Sequence, residues 1–329
     1  MKDEIIVSIC CLAYNHEKYI EKTLLGFINQ KTTFRYEVLI NDDASTDGTP
    51  AIIRKYASLY PDIIKPIFQE TNQYSKGIAV SLTYNYPRVK GKYVAFCEGD
   101  DYWCDDKKLQ YQFEALETNH NCSICVHNTQ WIDKNGDFLD GMFPQVCFDE
   151  GIISAEEYIH TEIVESPWIF QMTSFFIRRE VIDEYLKGFR HPFSVGDLPL
   201  VLLSLEFGDC YYLNRTMSCY RKDSGGAMTR IRNSRERTIE QYESFIKGFN
   251  FFNDRMMGRY KKDFQYGIQF AEVQILKSKG QFGEILKPKY KEVYKHLNIK
   301  NRMLIIFGSI FPSIGMKVYE YFHLRNRNG

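Results

Sequence analysis

Short apolar runs, each closed by a polar cluster, alternate with helically spaced segments through Leu116, and that rhythm decides the fold class. Ile5-Ile6-Val7-Ser8-Ile9-Cys10-Cys11-Leu12 has the length and continuity of a strand buried on both faces. Tyr36 to Ile40, Ile63 to Phe68 and Tyr93 to Cys97 repeat the pattern. Helical spacing recurs between them: Tyr19, Ile20, Leu24, Phe27 and Ile28, then Pro50 to Tyr60, then Ile78 to Tyr86. Asn15 is expected to cap the first of these helices. The alternation predicts an α/β domain whose mixed, largely parallel sheet is flanked by helices. In such sheets ligands bind beyond the carboxyl ends of the strands. Three polar clusters stand there: Asn15, Asp42-Asp43 and Glu98 to Asp101.

Further strands are expected over Ser123 to Asn128 and Met172 to Ile177, and a helix over Leu198 to Phe207. From Asn233 to Lys279 the pattern is helical and rich in aromatic residues. The net charge of zero conceals a division. Residues 1–229 hold 22 Lys and Arg against 33 Asp and Glu, and residues 230–329 hold 20 against 9. A boundary near Arg230 therefore separates an acidic domain, 1–229, from a helical, basic region, 230–329. An acidic half suits a cation site; a basic one suits a nucleic acid, an anionic membrane surface, a phosphorylated acceptor or a solvated helical face. The nine Cys are scattered, several within apolar runs, as in a cytoplasmic protein with buried thiols. Nothing resembles a signal peptide. Met303 to Met316 is too short and too interrupted to span a bilayer, which takes about 20 apolar residues.

Glu98-Gly99-Asp100-Asp101 is the strongest chemical signal. Three carboxylates in four residues repel one another unless a cation or donors compensate. Gly99 permits a tight turn, and hard carboxylate oxygens suit Mg²⁺ or Mn²⁺. Asp42-Asp43 supplies a second acidic strand end, and together the two read as a nucleotide site. His120, Cys122, Cys125 and His127 carry the residue types of a zinc site. The strand expected over Ser123 to Asn128 would turn Cys125 and His127 to one face and Cys122 to the other, which argues against one.

Residues 5–130 resemble a family 2 glycosyltransferase of the GT-A fold. The resemblance rests on Ser8 to Asn15, on Asn41-Asp42-Asp43-Ala44-Ser45-Thr46-Asp47-Gly48-Thr49, and on Gly91 to Trp103 with Lys108-Leu109 and Gln112 behind it. It implies inverting transfer from a nucleotide-sugar, a UDP-sugar in the first instance, to a saccharide or lipid-linked acceptor in cell-surface polysaccharide synthesis. Ala13, Tyr14 and Asn15 would lie at the base pocket and Asp42 would meet the base. Glu98 or Asp100 would hold the ribose, and Asp100 or Asp101 the metal, Mn²⁺ or Mg²⁺. The family's usual Asp-x-Asp is here Glu98-x-Asp100. An acidic residue opening a helix serves the family as general base, and Asp197 in Gly196-Asp197-Leu198-Pro199 fits.

Tyr220 to Gly226 resembles a later family segment in which a His often stands at the Asp223 position, and Arg221 is a candidate for phosphate. Trp103 and Trp168 are candidates for stacking on an acceptor sugar, or for burial. The tail, residues 301–329, pairs an apolar run with Arg302, Lys317, Arg325 and Arg327, next to Lys300. It suits peripheral contact with the inner face of a membrane, packing on the protein, or a homo-oligomer contact. No nucleic-acid partner is expected. A nucleotidyltransferase would usually add a Gly-rich phosphate loop near the first strand, and Cys10 to Thr23 has no Gly. A non-catalytic carbohydrate-binding protein would need no acidic set.

Overall fold

All four apolar runs form strands in the computed structural model, which describes residues 4–222 and 234–321. They are β1 (Ile5–Ala13), β2 (Arg35–Asp42), β3 (Ile64–Phe68) and β4 (Tyr93–Phe96). Six more follow: β5 (Tyr102–Trp103), β6 (Cys122–Ile132), β7 (Phe138–Phe143), β8 (Gly151–Ile153), β9 (Phe176–Arg178) and β10 (Asp209–Arg221). The sheet order is β3-β2-β1-β4-β9-β6-β10-β5, with β7 on β6 and β8 on β10. Strands β3, β2, β1 and β4 run parallel; β9 is antiparallel to both β4 and β6, and β10 is parallel to β6. The sheet is mixed, with helices α1 (Ile20–Ile28), α2 (Thr49–Leu59) and α3 (Lys108–Thr118) among its covers.

β1 lies between β2 and β4 and is buried on both faces, with Val7 and Ile9 sealed on one and Ser8 and Cys10 buried on the other; Leu24 and Phe27 of α1 are sealed too. Each such burial of a Val, Ile, Leu or Phe contributes about 1.5–3 kcal/mol. The one polar side chain in the strand's centre, Ser8, is satisfied, donating to Glu37 at 2.8 Å and accepting the Gly91 amide at 3.0 Å. Two segments differ from expectation. Ile78 to Tyr86 is no regular α-helix but a π-turn over Ser81–Asn85 followed by a 3-10 turn over Tyr86–Arg88. Pro87 lacks the amide hydrogen that an α-helix there would use, and buried Asn85 donates to the Cys11 carbonyl at 3.2 Å. Met172–Ser174 is likewise a 3-10 turn, and the strand begins only at Phe176.

The chain divides into two compact units. The first holds residues 1–158, 168–190 and 200–224, and contains the whole sheet. The second holds residues 159–167, 191–199 and 225–329. Helix α4 (Ala155–His160) and helix α6 (Asp197–Phe207) each have residues in both, and α5 (Arg179–Leu186) belongs to the first. Arg230, the expected boundary, lies outside the described residues, as do Asp223 to Gly226.

The second unit is helical: α7 (Arg235–Arg255), α8 (Lys261–Ser278), α9 (Phe282–Ile285), α10 (Lys291–His296), α11 (Ile299–Ile310) and α12 (Pro312–Glu320). Its aromatic residues pack on each other, with Phe193 against Phe245, Phe249 and Phe252. Val273, Phe282, Ile285, Val293, Leu304 and Ile305 form a separate core toward the C-terminus. Among the described residues, no helix is long and apolar enough to cross a membrane. All nine Cys are unpaired.

Candidate functional site

The carboxyl ends of β2, β1 and β4 are brought side by side by sheet register. Ala13 pairs with Asp42, and the chain leaving β4 stays fastened to β1, the Gly99 amide donating to the Leu12 carbonyl at 2.8 Å. Asp42 and the acidic turn therefore flank the end of β1 on opposite sides.

On the β2 side the loop is laced to the segment after β1. The Asn15 amide donates to Ser45 Oγ at 2.9 Å, and the Ser45 hydroxyl donates to Asp42 Oδ1 at 2.6 Å. Asn15 Oδ1 accepts the Thr46 amide at 2.8 Å, and Asp47 Oδ2 accepts the Glu17 amide at 3.0 Å. Asn15 and Ala44 both have positive φ, 56° and 60°, a conformation that costs a non-glycine residue roughly 1–3 kcal/mol and so needs such support. Asn15 is thus not the helix cap it was expected to be; Tyr19 stands at that position, with no side-chain bond. Desolvation raises the carboxyl of buried Asp42 above its ordinary value, against the two Ser45 donors that lower it. Asp43 faces another way: its two oxygens accept the Gln73 and Tyr74 amides at 2.7 and 3.0 Å. Ala13 is buried and Tyr14 half-buried.

On the β4 side the acidic turn splits. Asp101 points inward. Its Oδ1 accepts the Arg221 amide at 2.8 Å, and burial, with Asp100 next, pushes its carboxyl well up. Its backbone carbonyl accepts the Thr23 hydroxyl at 2.6 Å. Asp100 is half-buried, and among the described residues its carboxylate meets only the ring of His16, 4.0 Å away. A Cβ on Gly99 would stand 2.7 Å from His16 Nδ1 and 3.0 Å from the Leu12 carbonyl, so the turn closes over His16 only because residue 99 has no side chain. Glu98 is half-buried.

Arg221, expected to meet phosphate, is buried and engaged. Its Nε donates to the Asp100 carbonyl at 3.0 Å, one terminal nitrogen donates to the Asp133 carbonyl at 2.8 Å, and the guanidinium lies 4.1 Å from the Tyr19 ring. It fixes the backbone of the turn. Trp103 is likewise no exposed stacking platform. It is buried edge-on to Phe27, donates to the Thr173 carbonyl at 3.1 Å and carries the Lys108 ammonium 4.0 Å over its ring. That burial holds Lys108 down to about 7. Trp168 is half-buried with φ of 64°.

Asp197 opens α6, in the part of that helix assigned to the second unit. It is half-buried, its Oδ1 accepts the Leu198 amide at 3.0 Å, and desolvation raises its carboxyl to about 6.

Among the described residues no group of three or more His, Cys, Asp or Glu is placed to hold a metal. That includes Cys122, Cys125 and buried His127, whose ring is pushed well below its ordinary value by desolvation. Asp100 nonetheless fits a Mg²⁺ or Mn²⁺ carried by a nucleotide diphosphate, since such ions need only one or two protein carboxylates beside phosphate and water. Asp101 fits poorly, its carboxyl being occupied by an amide. His16, Thr23 and Ser45, which hold the site together, were not singled out from sequence. The partners of His16 and Thr23 lie 76 to 84 residues away, where no local pattern marks them, whereas Ser45 bonds Asp42 three residues back, within the Asn41 to Thr49 segment.

A family model described as glycosyl transferase family 2 matches residues 8–186. Over 233 residues the chain is 31% identical to an uncharacterised protein of Mycobacterium tuberculosis, a match covering 67% of this chain and 60% of that protein's length. Over 113 residues it is 36% identical to the UDP-Glc:alpha-D-GlcNAc-diphosphoundecaprenol beta-1,3-glucosyltransferase WfaP of Escherichia coli, covering 34% of this chain and 42% of WfaP. The fold is shared with S. aureus TarS 1-349, solved in complex with UDP-GlcNAc: the TM-score is 0.57 at 19% identity, over 98% of this chain and 92% of that one.

Proposed function

The chain belongs to glycosyl transferase family 2, and on that premise we propose that it transfers one sugar from a UDP-sugar, with inversion, to a saccharide or lipid-linked acceptor in cell-surface polysaccharide synthesis. One observation carries the reading: Asp42 and Asp100 stand at the ends of the strands on either side of β1, one buried beside the base loop and the other left without a hydrogen-bonding partner among the described residues. WfaP, by its name, uses UDP-Glc and a diphosphoundecaprenol-linked acceptor, which supports that choice of donor and acceptor class.

In this reading Asp42 accepts a hydrogen bond from the base, beside Ala13, Tyr14 and Asn15, and Glu98 meets the ribose. Asp100 would hold a Mn²⁺ or Mg²⁺, which would neutralise charge on the diphosphate. Arg221 and Thr23 hold the backbone that aims Asp100. The acceptor hydroxyl oxygen attacks the anomeric carbon as the bond from that carbon to the diphosphate oxygen breaks, its electron pair leaving with the nucleotide. The acceptor's proton passes to Asp197, given the role of base by the family resemblance as the acidic residue that opens α6. A carboxyl raised to about 6 is still deprotonated at neutral pH and is a stronger base than an ordinary one.

The test is a panel of nucleotide-sugars with and without Mn²⁺ or Mg²⁺, read first as thermal stabilisation and then as transfer. A UDP-sugar should stabilise the protein in a metal-dependent way; no response to any nucleotide-sugar would sink the reading. Asp197→Asn should abolish transfer and leave donor stabilisation intact, while retained turnover would remove Asp197 from the mechanism. Because a base works deprotonated, wild-type transfer should decline as pH falls through about 6.

A further inference from the structure

Helix α11 is apolar on two opposite faces. Leu304, Ile305 and Gly308 point into the C-terminal core, where a Cβ on Gly308 would come within 2.4 Å of the Phe282 ring, so the inward face is fixed by contact. At about 100° per residue, the opposite face collects Ile299, Met303, Ile306, Phe307 and Ile310, every one exposed, with Ile299, Met303 and Ile310 at 74, 65 and 65%. Phe311 and Ile314, both 50% exposed, carry the stripe into α12, with the Phe307 and Phe311 rings 5.3 Å apart. A helix apolar all round is ordinarily buried, and contiguous exposed apolar surface of this kind marks an interaction site.

The charges identify the occupant. By the same spacing Lys300 lies on one flank of the stripe, and Lys317 follows in α12; Arg302, on the other flank, has its guanidinium bonded to the Leu297 and Lys295 carbonyls. Lys300 and Lys317 pair with no carboxylate among the described residues. From Leu297 to Tyr319 the sequence has no Asp or Glu, and from Leu286 to Tyr319 it has seven Lys and Arg against Glu292. A second protein surface would have to supply both an apolar trough and acidic rims. An anionic bilayer offers both at once: headgroup charge for the flanking cations and acyl chains for the stripe. Helix α11 has 12 residues, about 18 Å, and is too short to cross the roughly 30 Å hydrocarbon layer.

We propose that the α11–α12 face, from Ile299 to Ile314, docks the protein on the surface of an anionic lipid bilayer, lying in its interface without crossing it. This holds independently of the transfer reaction proposed above. The full chain would be co-sedimented with phosphatidylcholine vesicles and with vesicles in which about a third of the lipid is phosphatidylglycerol. Binding should require phosphatidylglycerol and weaken as salt is raised. Ile306→Glu with Ile310→Glu, on the exposed face, should lower it by about tenfold or more without moving the unfolding temperature; Lys300→Glu with Lys317→Glu should do the same. Failure of the unaltered chain to bind anionic vesicles overturns the proposal. So does undiminished binding by the Ile306→Glu, Ile310→Glu variant, or equal binding to neutral vesicles. If the chain instead dimerises, binds no vesicles, and that variant is monomeric, the face belongs to a second copy and the proposal falls.

Discussion

Asp42-Asp43 closes β2 and Asp100-Asp101 follows β4, one acidic pair on each side of β1. In both, the second Asp is committed to the scaffold: Asp43 holds the Gln73 and Tyr74 amides, and Asp101 holds that of Arg221. The first members differ. Both Asp42 oxygens take bonds from Ser45, so a base would meet a carboxylate already oriented. Asp100 has only a His16 ring 4.0 Å away. A carboxylate half-buried in that condition favours a cation far more than one whose lone pairs are used. Position along the chain does not separate the members of such a pair; the donors that each one does or does not meet in the fold do.

The sharpest way to break this comparison is at Asp100. Asp100→Asn should lower kcat by roughly 10²–10³-fold, about 3–4 kcal/mol, with an unchanged melting temperature. Chelating the metal should cost the unaltered protein a similar factor and the variant little more. Asp43→Ala should act on stability. It leaves two backbone amides without their charged acceptor, and urea unfolding should register a loss of about 2–3 kcal/mol. The smallest effect belongs to Asp101→Asn, which keeps an oxygen for the Arg221 amide and removes only the charge. Transfer should stay within about tenfold of the unaltered rate. If Asp101→Asn were as damaging as Asp100→Asn, the division of labour drawn from the hydrogen bonds would be wrong.

Much of the parallel half of the sheet was legible because β1, β2, β3 and β4 are short continuous apolar runs, and their polar ends fall where the site lies. What escaped depends on contacts between distant segments. Asn15 has the residue type of a cap, yet its φ of 56° and its bond to the Thr46 amide belong to a loop 31 residues on. Trp103 sits beside the acidic turn in sequence and is buried by Phe27, Thr173 and Lys108. Arg221 reads as a phosphate ligand until its donors are seen to end on the Asp100 and Asp133 carbonyls. The two-residue strand β5 has no signal of its own, since its pairing with Ser218 and Cys219 alone defines it. In the second unit, sequence disclosed the apolar run after Asn301, but only packing on Phe282 tells which face is left over.

The lacing of Asn15, Ser45, Thr46 and Asp47 across the ends of β1 and β2 also has a consequence for speed. Loops tied to one another before any donor arrives need no closing step at that rim, so nucleotide capture there should be a single encounter whose rate rises linearly with nucleotide concentration. Stopped-flow binding whose rate saturates with nucleotide concentration would have its slow step in some other part of the molecule.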